Sequence, residues 1–202
     1  MDDYSWIFKD NRLETTENIE KTLLHTRRPH RKNLTVLKQE AVSDFLTALP
    51  KKGESLHIVS NGKYDFWTFV PVVIGLLKKP VTEFYGSTWT MNRGNVLELL
   101  ALFDEGKIEK IGILTGTYFK RRETAVYATL LEGLLTRKQR YVAFQNHAKV
   151  LCFRTQTTFI TIEGSANFTA NPRLEQYVMS NDRSLYLFHS KWMKHMLGRG
   201  DK

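Results

Sequence analysis

Short apolar runs alternating with helical segments constrain this chain more than any other feature of its sequence. Residues 56–59, 81–85, 108–114, 141–144, 150–153 and 159–163 are each too short for a core helix. They are rich in β-branched, leucine or aromatic side chains, so each reads as a strand. Between them, apolar residues recur at helical spacing. Val70, Val73, Ile74 and Leu77 follow Thr68, and Pro71 falls in the first turn, where its missing N–H is harmless. Val96, Leu99, Leu100 and Phe103 follow the capping residue Asn92, and Gly106 supplies a terminator. Further helices are predicted over 122–136 and 184–196. Leu37, Ala41, Phe45 and Ala48 predict one more between Asn33 and Pro50. Alternation of this kind implies an α/β sandwich around a mixed sheet, with 150–153 and 159–163 pairing as a hairpin.

Residues 1–50 read as a polar, partly helical extension, and 51–202 as the domain proper. A chain of 202 residues, 42% hydrophobic, buries roughly 70% of its extended surface on folding. It needs no disulfide for a core. The single cysteine, Cys152, excludes an internal disulfide and any multi-cysteine zinc module, and its apolar neighbours mark it as a small buried residue. The longest apolar stretch, 66–77, is too short to cross a bilayer and contains Pro71. An acidic N-terminus without an apolar stretch behind it offers no signal peptide. These features predict a soluble, cytoplasmic protein with no membrane partner.

Charge narrows the partners. Thirty Lys and Arg against 21 Asp and Glu give a formal net charge of +9. Such a surface attracts polyanions, DNA and RNA among them. The cluster from His25 to Lys32 reads as a solvated arm, with phosphate contact as the sharper alternative. Pro29 prevents a helix from joining His25 and His30, so no metal is expected there. Lys120, Arg121 and Arg122, next to Tyr118 and Phe119, suit phosphate contact at a helix start. Trp89 and Arg93 lie in a polar, aromatic stretch after a strand. Trp89 there is either a base-stacking residue or a core tryptophan. His57 reads as a core histidine, and His189 and His195 carry no partner pattern. The stretch 112–117 lacks the Gly-Lys-Ser/Thr ending of a phosphate loop, which disfavours nucleotide hydrolysis.

The chemistry concentrates at the hairpin. His147 and Lys149 stand two residues apart at the mouth of a strand and so project to one face. The partner strand ends in Gly164-Ser165-Ala166-Asn167. Folding the hairpin returns Ser165 and Asn167 to the end that holds His147 and Lys149. Imidazole, ammonium, hydroxyl and carboxamide around one spot suit a phosphodiester. Lys149, Ser165 and Asn167 serve the non-bridging oxygens, and His147 serves as nucleophile or proton carrier.

His147-x-Lys149 followed by Gly164-Ser165-x-Asn167 resembles the signature of the phospholipase D superfamily. Glu163-Gly-Ser-Ala-Asn-Phe-Thr169 is especially similar to its bacterial endonuclease branch. The resemblance implies a phospholipase D-like α/β/α sandwich and a metal- and cofactor-independent mechanism through a phosphohistidine. One motif copy per chain implies a homodimer, with one His147 as nucleophile and the other as general acid. It also implies a supporting carboxylate, for which Glu175 is the candidate and Glu163 the runner-up. Arg154 stands where the family usually has a structural aspartate. The expectation is a nucleic acid phosphodiesterase, specifically a DNA endonuclease. A non-catalytic nucleic acid binding protein that retains the pocket, and a phospholipase or phosphatidyl-transferase, are the alternatives.

Overall fold

The computed structural model describes residues 22–28, 31–37, 42–61, 64–169 and 173–199, the first two segments by backbone pairing alone. Nine strands form one sheet in the order β2-β1-β3-β9-β8-β7-β4-β5-β6. They are β1 (Thr22–Arg28), β2 (Arg31–Leu37), β3 (Ser55–Ser60), β4 (Glu83–Ser87), β5 (Ile111–Gly116), β6 (Arg140–Phe144), β7 (Val150–Arg154), β8 (Phe159–Gly164) and β9 (Glu175–Asn181). Among the described strands, the pairs β4–β5 and β5–β6 are parallel. The other pairings are antiparallel, the β7–β8 hairpin among them.

Alternation along the strands sorts side chains onto two faces. Leu56, Ile58, Phe84, Ile113, Leu151, Phe153, Ile160, Ile162, Tyr177 and Met179 form the larger core. It is covered by α2 (Phe69–Leu77), α3 (Arg93–Asp104) and α5 (Thr124–Thr136), through Val73, Leu99 and Leu134. Tyr85, Leu114, Val150 and Cys152 face the other way, against Tyr186, Met193 and Leu197 of α6 (Arg183–Arg199). The molecule is an α/β/α sandwich with a mixed sheet. Burial of the Cys152 thiol pushes its pKa up to about 12, which fits an inert core residue.

Most elements lie where their sequence places them. Asn92 caps α3 by accepting from the Asn95 N–H at 2.9 Å, and Gly106 takes φ +70° just beyond the helix. Four segments differ from the sequence expectation. Residues 22–28, read as part of a polar arm, form β1 between β2 and β3. The helix predicted from Asn33 is replaced by β2 over Arg31–Leu37, followed by a single turn, α1 (Val42–Phe45). Backbone pairing to β1 there outweighs a modest helical periodicity. The chain breaks at Glu123 (φ −108°, ψ 48°). Arg122 therefore closes a separate short helix, α4 (Thr117–Arg122), instead of starting α5. Strand β9 was not anticipated, yet it lies inside the sheet between β3 and β8. The side chains of the His25–Lys32 cluster lie outside the described residues.

Among the described residues, no helix is long and apolar enough to cross a membrane, and no cluster of His, Cys, Asp and Glu could hold a metal ion.

Candidate active site at one end of the sheet

The topology gathers four chain segments at one end of the sheet. Strands β4 and β5 finish there, β7 and β9 begin there, and β8 ends there. Residues 88–92, 116–118, 145–149 and 165–168 are thereby brought together, with β9 supplying Glu175.

Asn146 fastens the loop before His147. It is buried, and its Nδ2 donates to Ser87 Oγ at 2.9 Å, Thr88 O at 3.2 Å and Leu114 O at 3.4 Å. Its Oδ1 accepts from the Ala148 N–H at 3.1 Å. One amide thus ties the loop to the ends of β4 and β5, and His147 is left exposed next to it. Lys149 is only 8% exposed, although its charge is the site's most evident one. Its Nζ lies 2.9 Å from His147 Nδ1 and donates to the His147 carbonyl at 2.7 Å. Desolvation lowers its pKa from the ordinary lysine value, and the Glu175 charge opposes that shift. With the ammonium donating to Nδ1, the neutral imidazole carries its proton on Nε2, the nitrogen at the far side of the ring.

The second half of the motif is pinned as firmly. Phe168 is fully buried against Phe66 and Trp67. Its N–H donates to Thr88 Oγ1 at 3.1 Å, and its carbonyl accepts from Asn95 Nδ2 at 2.7 Å. Asn167, one residue earlier, accepts through Oδ1 from the Trp89 N–H at 3.2 Å. Its Nδ2 is the donor end. Ser165 Oγ donates to Glu175 Oε2 and accepts from the Gln176 N–H at 3.0 Å.

The faces explain which carboxylate reaches the site. Glu175 has the parity of Tyr177 and Met179, and Lys149 that of Leu151, so both stand on the larger-core face. Glu163 has the opposite parity. Its Oε1 lies 3.1 Å from Nε2 of the buried His189 on α6. That histidine's Nδ1 in turn accepts from Trp192 Nε1 at 3.1 Å. His189 therefore has a partner pattern after all, on the face away from Lys149. His195 is exposed, and His57 is half-buried in β3.

Arg154 occupies the opposite end of β7, roughly 16 Å from Lys149 by strand rise. Its guanidinium lies 3.5 Å from Glu83 and 5.9 Å from the Phe159 ring centroid. Glu83 also accepts from Tyr186 and Lys194, and these cations and donors hold its carboxyl below the usual range against the opposing cost of burial. A cation at position 154 thus has a local partner and no contact with the site.

Aromatic and basic residues flank His147. Trp89 stacks on Tyr118 at 4.2 Å between centroids and lies 6.0 Å from the His147 ring. Arg122 approaches the Tyr118 ring at 5.7 Å, and Lys120 the Tyr127 ring at 5.6 Å. Lys120, Arg121, Arg122 and Arg93 are exposed. The basic triplet forms the last turn of α4 and stands directly before the N-terminus of α5, with Glu123 between them. Asn146 and Tyr118 were not among the predicted site residues. Adjacency to His147 and to the basic triplet were the available signals.

No family model and no curated protein matches the sequence. Solved structures do. Nuc, a phospholipase D family member from Salmonella typhimurium, is 14% identical at a TM-score of 0.49, over 65% of this chain and 88% of Nuc. Polyphosphate kinase from Porphyromonas gingivalis is 13% identical at a TM-score of 0.56. That match covers 78% of this chain and only 29% of the kinase. TrmBL2, an archaeal chromatin protein described as showing a novel mode of DNA binding, is 11% identical at a TM-score of 0.46, over 69% and 51% of the two chains. The fold is phospholipase D-like. In this phospholipase D-like sheet, the two motif halves sit at the ends of adjacent strands.

Asn146→Ala removes the tie between β4, β5 and the loop before His147. It should destabilise the protein by about 1–3 kcal/mol, because buried hydrogen-bonding partners are left unsatisfied. A lower urea midpoint with an unchanged m-value is the expected reading.

Proposed function

We propose that this chain is a metal-independent phosphodiesterase of nucleic acid, a DNA endonuclease whose active site is completed by a second copy of itself. The observation that carries this reading is the contact of exposed His147 with buried Lys149, at 2.9 Å, on a chain of net charge +9. Asn167 and the Ser165–Glu175 pair belong to the same end of the sheet.

Lys149 compensates charge on the non-bridging oxygens of a bound phosphodiester, and Asn167 Nδ2 adds a neutral donor. As phosphate draws the ammonium away from Nδ1, that nitrogen becomes free to hold the ring proton. Nε2 then presents its lone pair to phosphorus. Attack forms an N–P bond and breaks a P–O bond. The leaving oxygen takes its proton from Nε2 of His147 of the partner subunit, held as an imidazolium once phosphate has drawn that subunit's lysine off Nδ1, and this histidine is left neutral. Water activated by that second histidine then hydrolyses the phosphohistidine. Glu175 orients Ser165 and shares the charge field of Lys149. Lys120, Arg121, Arg122 and Arg93 contact flanking phosphates. The requirement for two histidines explains why one motif copy per chain suffices only in a dimer.

His147→Ala should lower DNA cleavage in EDTA by about a thousandfold or more, since it removes the covalent route. Mixed with wild type under conditions that exchange subunits, it should also suppress cleavage with the square of the wild-type fraction. A linear decline would exclude the shared site. Salt-sensitive binding without cleavage by the wild type would instead favour a binding module. The pH profile tests Lys149. Its protonated form is the useful one and its pKa is lowered. Activity should therefore decline as pH rises through a value below the ordinary lysine range, and Lys149→Arg should move that limb upward.

A further inference from the structure

We propose that the substrate is an unpaired strand, and that the base beside the scissile phosphate stacks on the Trp89–Tyr118 ring pair. This deepens, and rests on, the phosphodiesterase reading above. The rings stack at 4.2 Å with 21° between their planes, and Trp89 stands 6.0 Å from His147. They are thus about one nucleotide from the atom that attacks.

The pair is built into the site. The Trp89 N–H donates to Asn167, and the Trp89 carbonyl accepts from the Gly116 N–H at 3.2 Å. A Cβ at position 116 would lie 2.5 Å from Trp89 Cδ1 and 3.0 Å from its carbonyl oxygen. Only glycine lets the indole lie this close to the end of β5. Tyr118 follows on α4, where Phe119 is turned wholly into the core, and Tyr118 remains 38% exposed. The Arg122 guanidinium at 5.7 Å adds a cation to the same ring. An exposed aromatic ring, backed by a second ring and flanked by the Arg122 cation, suits a nucleobase. Stacking tolerates any base, because every base has a π-face.

Pairing state follows from this geometry. In a duplex both faces of a base are covered by its neighbours, so reaching the rings would require unpairing and unstacking. An unpaired strand presents its bases without that cost, while its phosphates run toward Lys149.

The test uses a fluorescein-labelled oligothymidylate, free or annealed to its complement. Binding is followed by anisotropy in the His147→Ala background, and cleavage in the His147 background. Bis(p-nitrophenyl) phosphate serves as a base-free ester. Tighter binding of the single strand is expected. Tyr118→Ala should weaken that binding by about tenfold and erase the preference over duplex. Tyr118→Phe should restore both. An abasic residue next to the cleaved phosphate should impair the wild type as Tyr118→Ala does, and the two together should do little more. Equal weakening of single strand and duplex by Tyr118→Ala would overturn the proposal, as would no weakening. A Tyr118-dependent single-strand preference without hydrolysis of either ester would sink the phosphodiesterase reading and keep the stacking site. Cleavage indifferent to pairing and to Tyr118 would do the reverse.

Discussion

The antiparallel register of β7, β8 and β9 decides what can meet at the site. Gly164 lies opposite Tyr177, and its N–H donates to the Lys149 carbonyl at 3.1 Å. The Ser165 N–H then donates to Gln176 O at 3.0 Å. These two bonds set the ends of three strands level with one another. A slip of one residue would turn Glu175 to the α6 face and bring Glu163 toward Lys149. The large side chains of Ile162, Tyr177 and Met179 oppose such a slip, because each would leave the core. Core packing directly behind the site therefore fixes which side chains meet there.

Within that frame, the electrostatics are arranged around one partly desolvated cation. Burying the Lys149 ammonium is unfavourable, and the nearby Glu175 carboxylate offsets part of the cost. The remaining strain is relieved by hydrogen bonds to the His147 ring and carbonyl. A bound phosphate is a better partner than either. On the proposed reading, that gain favours binding of the phosphodiester. Arg154 does not disturb it, since its own ion pair with Glu83 sits at the far end of β7.

The sequence made much of this legible because the decisive signals are local. An apolar hairpin, an Asn92 cap and two short polar motifs are each read from a few neighbouring positions. Glu175 was reached only through the resemblance to a known family, and its strand went unread. In β9, polar Glu175 and Asn181 share the parity of Tyr177 and Met179, and apolar Val178 takes the opposite parity, so the alternation is short and blurred. Pairing on both edges makes it a strand, and such pairing is invisible in sequence. The segment after Asn33 failed for the same reason, with sheet pairing prevailing over a weak helical pattern. Trp89 and Tyr118 belong to different βα turns, so nothing short of the tertiary structure pairs their rings.

The central claim is that His147 forms a covalent bond to phosphorus. Quenching the wild type in alkaline denaturant during cleavage of a short DNA strand, followed by peptide mass spectrometry at alkaline pH, tests it most directly. The account predicts a nucleotidyl adduct on the peptide carrying His147, acid-labile and absent from His147→Ala. Cleavage that proceeds at full rate with no adduct at any quench time would contradict it.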